Sequence, residues 1–282
     1  MRARLGGLTN ANFLLEMAGE RFALRLSGAG TADYINRTAE AQAARAAAAV
    51  GVSPEVIFCD PDDGVLLCRF VENGVTMSAA GFRNGGSIRR AAAALRTVHR
   101  EAAPFATRFE VFAMIDEYLA VLARRNAPRL EGYDAARAKA EQVRRVLAMR
   151  PGPLAPCHCD PLAENFIDIG TTMFVVDWEY AGNNDPMWDL GDLAVEAGFD
   201  ASQEAILLDA YFVGAVPPAD HGRMVLYKAM ADLLWTLWGV IQHVDGNKSE
   251  DFWAYATGRF ARCQALMASD GFEAAFRAAA FG

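Results

Sequence analysis

The run His158-Cys159-Asp160-Pro161-Leu162-Ala163-Glu164-Asn165, followed by Asp177 across a hairpin-like stretch, constrains this chain more than any other segment. Phe166-Ile167-Asp168 and Met173-Phe174-Val175-Val176 are short β-prone runs, and Ile169-Gly170-Thr171-Thr172 between them supplies the turn. Folding about Gly170-Thr171 makes the strands antiparallel and predicts Asn165 opposite Val176 or Asp177. Two side-chain oxygens that are distant in sequence are thereby brought together.

A magnesium ion takes hard oxygen ligands, uses few protein groups and completes its shell with water and phosphate oxygens, which suits Asn165 and Asp177 as metal ligands. Asp160 has a different task. Five residues before Asn165, on the loop entering the hairpin, it can accept the proton of a substrate hydroxyl as that oxygen attacks the γ-phosphate of ATP. The pattern H-x-D-x-x-x-x-N with a downstream Asp is more specific than any of its elements and points to phosphoryl transfer.

Composition frames this reading. The 282 residues are 53% hydrophobic and 22% charged, enough to bury a substantial core in one large domain or two lobes. The sequence offers no uncharged stretch of eighteen apolar residues, and Met1-Arg2-Ala3-Arg4 leads into a Gly-rich segment rather than an apolar signal core. No membrane span and a cytoplasmic location are expected. A net charge of −8 argues against a nucleic-acid partner. Five cysteines are too few and too odd in number for a disulfide scaffold. Cys157-His158-Cys159 lacks the second ligand pair of a closed zinc site, and Cys59, Cys68 and Cys263 read as small core residues. Oligomeric state is not read from these residues.

Residues before about 72 read as strand-rich and those after about 86 as helix-rich, which predicts an α+β fold with residues 1–72 as a small antiparallel lobe and 73–282 as a larger, mainly helical one. Phe13–Met17 and Arg21–Leu26 flank a turn at Ala18-Gly19-Glu20, and Val56–Cys59 and Val65–Phe70 flank Asp60–Gly64. In Gly6-Gly7-Leu8-Thr9-Asn10, two glycines and two small polar residues allow close backbone approach to a phosphate, so Gly7, Thr9 and Asn10 are candidate nucleotide contacts. Arg25 lies between Leu24 and Leu26, where its charge is either solvated at a sheet edge or aimed at a partner. In the second case it reaches the ATP phosphates and is held by Glu40, on an Ala-rich helix over about 32–50.

These residues together resemble the choline/ethanolamine kinase family, within the wider group that includes aminoglycoside phosphotransferases and shares the protein-kinase fold. The resemblance spans nearly the whole chain: Gly6–Asn10 is similar to the nucleotide loop, Leu24-Arg25-Leu26 to the phosphate-contacting strand, Arg69–Glu72 to the hinge and His158–Asn165 to the catalytic loop. Asp177-Trp178-Glu179-Tyr180-Ala181-Gly182, with Asn184 and Asp189 beyond, is similar to the D-x-E-Y segment of choline kinases. The resemblance implies a bilobal, protein kinase-like fold, ATP and Mg2+ as cofactors, and a small-molecule alcohol, choline or ethanolamine, as phosphoryl acceptor. Arg25 then stands where protein kinases carry lysine.

Asp232-Leu233-Leu234-Trp235-Thr236-Leu237-Trp238 bears on the acceptor, because helical spacing puts Trp235 and Trp238 on one face with Asp232 a turn before. Periodicity alone favours a core stripe. The resemblance favours an aromatic cage for a quaternary ammonium, with the two tryptophans stacked beside acids and joined by Glu179 and Tyr180. Glu196, Tyr211 and Tyr255 are weaker additions, each equally readable as a satisfied core or surface residue. Thiamine, an aminoglycoside or another alcohol is the alternative acceptor on the same fold, and a non-catalytic choline-binding protein is the alternative outside catalysis.

Overall fold

The computed structural model describes residues 3–5, 10–28 and 35–282, with only the backbone of residues 3–5. Contacts divide the chain into two compact units, one of Met1–Phe109, Leu154–Asn184 and Glu196–Tyr211, the other of Glu110–Pro153, Asp185–Val195 and Phe212–Gly282.

In the first unit, β1 (Ala3–Leu5), β2 (Ala11–Met17), β3 (Glu20–Leu26), β4 (Val56–Asp60) and β5 (Val65–Arg69) form an antiparallel sheet in the order β1-β2-β3-β5-β4. The β2–β3 turn is tighter than the sequence suggests. Met17 pairs with Glu20, leaving Ala18 and Gly19 as a two-residue loop, both at positive φ (53° and 83°), the geometry that matches strand twist in a hairpin. Helix α1 (Arg37–Ala49) starts at Asn36, whose side-chain oxygen accepts the Ala39 N–H at 3.0 Å. It begins later than the expected residue 32, and positions 32–34 lie outside the described residues.

The predicted hairpin is present as β8 (Phe166–Asp168) and β9 (Met173–Val175), in register Phe166 to Val175, Ile167 to Phe174 and Asp168 to Met173. Its loop turns at Gly170, φ 85°. Strand β6 (Val75–Thr76) adds to β8, β7 (Ala155–Cys157) pairs with β10 (Gly182–Asn184), and α2 (Gly85–Glu101) packs on β7, β8 and β9. Asp168 joins hairpin to helix: its carboxylate accepts from Arg90 at 2.5 and 2.8 Å, from Ser87 Oγ at 3.0 Å and from the Gly170 N–H at 2.8 Å. The Arg90 hydrogen bonds hold this carboxyl below its usual range, against the burial that opposes them. A depressed native carboxyl contributes stability above its unfolded value, and the contribution fades as pH falls through the native value. Asp168→Asn should therefore cost about 2 kcal/mol at pH 7, and denaturant melts should show the difference from wild type closing as pH drops below about 4.

The second unit is helical: α3 (Val111–Arg124), α4 (Tyr133–Met149), α5 (Pro186–Glu196), α7 (Pro218–Val244), α8 (Phe252–Met267) and α9 (Asp270–Phe281), while α6 (Ala201–Phe212) belongs almost wholly to the first. Helix α7 is the spine, packed by α3, α8 and α9. Among the described residues it is the one helix long and apolar enough to cross a membrane, yet 83% of its most apolar window is buried in protein, as a core helix requires. Helix α5 approaches α7 at Gly191, where a Cβ would stand 2.8 Å from the Met224 carbonyl oxygen.

Candidate active site

The hairpin sets the first part of the site. The Val176 N–H donates to the Asn165 carbonyl at 2.9 Å, so the register resolves to Asn165 opposite Val176, with Asp177 the next residue. Asn165 is buried, and its side-chain nitrogen donates to the Asp160 carbonyl at 3.0 Å, which ties the candidate base loop to the candidate metal ligand. Cys159 (φ 69°) and Asp177 (φ 67°) both occupy the left-handed region, a conformation uncommon outside glycine that accumulates at functional sites. Cys159 immediately precedes Asp160, and Asp177 is itself the second carboxylate.

His158 braces this arrangement. It is fully buried, its Nε2 lies 2.9 Å from the Val176 carbonyl oxygen, and its Nδ1 accepts the Asp160 N–H at 3.4 Å. A carbonyl can only accept and an amide N–H can only donate, so the pair of partners selects the tautomer protonated at Nε2. The ring packs on Trp178 at 4.8 Å, and Trp178 Nε1 donates to Ser53 Oγ and the Val175 carbonyl. His158 thus fixes the Asp160 backbone to the end of β9.

The second part is a buried ionic cluster. Arg25 is not a solvated edge residue: it is buried, ion-paired with Glu40, and its Nη1 lies 3.2 Å from Asp177 Oδ1. Arg37, which the sequence reading missed, reaches Glu40 at 2.8 Å and Glu179 at 3.2 Å. Asn10 Nδ2 donates to Glu179 at 3.0 Å. Carboxylate oxygens of Glu40, Asp177 and Glu179 lie within 4.8 Å of one another. Burial works against the Arg25 charge, but Glu40, then Asp177 and Glu179, outweigh it and hold the guanidinium above its ordinary range. Asp177 is lifted to about 7, by burial first and by the Glu179 charge next, with Arg25 pulling the other way. The Asp177 side chain keeps 32% of its surface open, so solvent tempers the burial contribution.

The described residues fit both expected groups. Arg25 Nε is buried without a hydrogen-bond partner among the described residues, a donor suited to an anionic oxygen. Asp177 and Asn165 offer hard oxygens, as magnesium requires. Gly7 and Thr9 lie outside the described residues. Tyr180 is half-buried at the end of the same segment.

In the second unit, Trp235 and Trp238 do share a helix face, but they are not stacked: the ring planes meet at 87° with centroids 6.4 Å apart. Phe252 and Tyr255 close edge-on around Trp238 at 5.4 and 5.9 Å. Trp235 is buried and Trp238 half-buried. Asp232 does not face the indoles as a free charge, because Arg259 and Arg262 on α8 take its carboxylate at 3.4 and 2.6 Å. The acid beside the aromatic cluster is instead Asp192, which accepts the Trp235 Nε1–H at 3.3 Å.

Comparison with known proteins defines the class. Residues 1–227 match APH, the phosphotransferase enzyme family. A choline/ethanolamine kinase family protein from Mesorhizobium loti is 52% identical, with 99% of this chain and 92% of that one covered and a TM-score of 0.92. Choline kinase LicA from Streptococcus pneumoniae is 26% identical over 94% of this chain and 92% of its own, with a TM-score of 0.80. Protein LicA of Haemophilus influenzae is 28% identical over 259 residues, which are 88% of this chain and 75% of that protein. The chain belongs to the phosphotransferase enzyme family and, within it, to the choline/ethanolamine kinases. It is an α+β enzyme of kinase-like fold that phosphorylates a small alcohol.

Proposed function

We propose that this enzyme transfers the γ-phosphate of ATP to the hydroxyl of choline, giving phosphocholine, with ethanolamine as the nearest alternative acceptor. The observation that carries the reading is the hairpin that joins Asp160, Asn165 and Asp177 to the buried Arg25–Glu40 pair. The 52% identity to a choline/ethanolamine kinase family protein supports the acceptor class.

In this reading residues 1–72 bind the nucleotide and 73–282 carry catalysis and acceptor binding. Gly7, Thr9 and Asn10 approach the phosphates through backbone and small polar groups. Arg25 contacts phosphate oxygens while Glu40 holds its guanidinium. Asn165 and Asp177 would hold Mg2+, which when bound would neutralise charge developing on the transferring phosphoryl group. Asp160 orients the attacking hydroxyl and receives its proton. Most of the rate gain is positioning and charge neutralisation, since phosphoryl transfer passes through a loose transition state. A cytoplasmic location, where ATP is abundant, belongs to the same reading.

Trp235 and Trp238 present aromatic faces to the trimethylammonium group, which has no N–H to donate, and Glu179 and Tyr180 complete the acceptor residues. Each cation–π contact contributes roughly 0.5–2 kcal/mol. Trp238→Ala, at the half-buried indole, should raise the choline KM about tenfold and leave the ATP KM unchanged. Steady-state kinetics that left choline KM untouched would remove the tryptophans from the acceptor site.

A further inference from the structure

The segment 104–107, which follows α2, is gripped from two sides by side-chain amides. On one side Gln42 of α1 accepts the Ala106 N–H at 3.1 Å through Oε1 and donates from Nε2 to the Pro104 carbonyl at 3.1 Å. On the other, Asn183 of β10 accepts the Phe105 N–H at 3.1 Å and donates to the Phe105 and Thr107 carbonyls at 2.7 and 2.9 Å. Consecutive peptide groups thus turn to opposite partners. The Phe105 ring is buried and meets Trp178 edge-on at 6.1 Å, and Trp178 stands between Asp177 and Glu179 in the chain. Thr107 Oγ1 donates to the Ala181 carbonyl at 2.9 Å. Segment 104–107 therefore ties α1, which carries Glu40, to the stretch that carries Asp177.

Helix α1 needs such a tie. Its buried residues include Ala39, Ala41, Ala43, Ala44 and Ala47, and methyl groups set its distance from its neighbours better than its rotation or axial position. Past its C-terminal end, Val52 accepts the Val175 N–H at 2.8 Å and Ser53 accepts the Trp178 Nε1–H at 3.2 Å, but Val52 is twelve residues from Glu40. Gln42 is two residues away, about 200° round the helix, so Glu40 faces Arg25 while Gln42 faces segment 104–107. We infer that Gln42 is a positioning residue for phosphoryl transfer: its grip on Pro104 and Ala106 fixes the rotation of α1, and through Glu40 the place of the Arg25 guanidinium beside Asp177, which rests on the reading above in which Arg25 contacts the ATP phosphates. Without that grip α1 turns on its alanine face, and Glu40 no longer holds Arg25 in one place.

The test is steady-state kinetics of the full chain with ATP and choline varied separately, together with titration calorimetry of MgADP and thermal melts. Gln42→Met keeps the length of the side chain and loses both hydrogen bonds, and both lie at the surface, where water replaces them. Its kcat/KM for ATP should fall about tenfold and its MgADP dissociation constant rise about threefold, with the choline KM within about twofold of wild type. Gln42→Glu keeps the acceptor for Ala106 and loses the donor to Pro104, so its kcat/KM for ATP should fall only about threefold. In a Glu40→Gln background, where α1 no longer presents a carboxylate to Arg25, Gln42→Met should add less than about twofold. A merely structural Gln42 would lower the melting temperature and add its full effect in that background, which overturns the inference. Wild-type kcat/KM for ATP and MgADP affinity in folded Gln42→Met overturn it as well, and should that variant not fold, unchanged values in Gln42→Glu do so. Wild-type protein that turns over ATP with no acceptor class overturns the phosphotransfer reading and this inference together, whereas normal wild-type turnover with an insensitive Gln42→Met overturns this inference alone.

Discussion

Replacing Asp177 by alanine is expected to lower kcat by at least about a thousandfold, the scale of losing a principal charge-stabilising group in a transition state. Asp177 is the proposed metal oxygen, and it is also a partner of Arg25 at 3.2 Å and a left-handed backbone position at φ 67°. Alanine in that conformation adds strain of about 1–2 kcal/mol, so part of the loss in Asp177→Ala would come from the backbone. Asp177→Asn separates the two, because asparagine tolerates the left-handed region and retains one oxygen while removing the charge. The expected result is a kcat nearly as low as that of alanine with wild-type thermal stability. Substantial turnover by the Asp177→Asn enzyme would show that the Asp177 charge is not central to the reaction.

The second large effect is at Asp160. Asp160→Ala should reduce kcat about a hundredfold, at the lower end of the range for general base catalysis, and leave the KM for ATP near wild type. The loss is smaller than at Asp177 because the attacking hydroxyl keeps its proton until late in a loose transition state, so orientation matters more than basicity. The Asp160 backbone is held independently of its side chain, by the Asn165 amide on its carbonyl and by His158 on its N–H. The loop geometry therefore survives the substitution, and the kinetic effect reports on the carboxylate. A rise in ATP KM with unchanged kcat would place Asp160 among the nucleotide contacts instead.

The hairpin was legible because two β-prone runs flank Gly170, but loop length left two registers, Asn165 opposite Val176 or Asp177, and the structure takes the first. The Arg25–Glu40 contact was legible as a possibility, since strand and helix each put one charge where the other could reach it. Arg37 was not. An arginine in the first turn of a helix usually points to solvent, and the partner that sequence spacing does not reveal is Glu179, on a distant segment. The tryptophan pair shows the same limit: helical spacing placed both indoles on one face, but the 87° between them depends on Phe252 and Tyr255, which belong to another helix. Asp232 reads as an acid beside the indoles until α8 supplies two arginines, and Asp192 has no sequence signature at all, because its partner is fixed by the close approach of α5 to α7 at Gly191.

The most direct test of the account is ADP release from MgATP with choline, ethanolamine, thiamine and an aminoglycoside measured in parallel, with Asp160→Ala as control. The account predicts a choline-dependent signal that falls about a hundredfold in the Asp160 variant. Turnover with thiamine or the aminoglycoside but not with choline would contradict the acceptor assignment, and silence with all four would contradict the catalytic one.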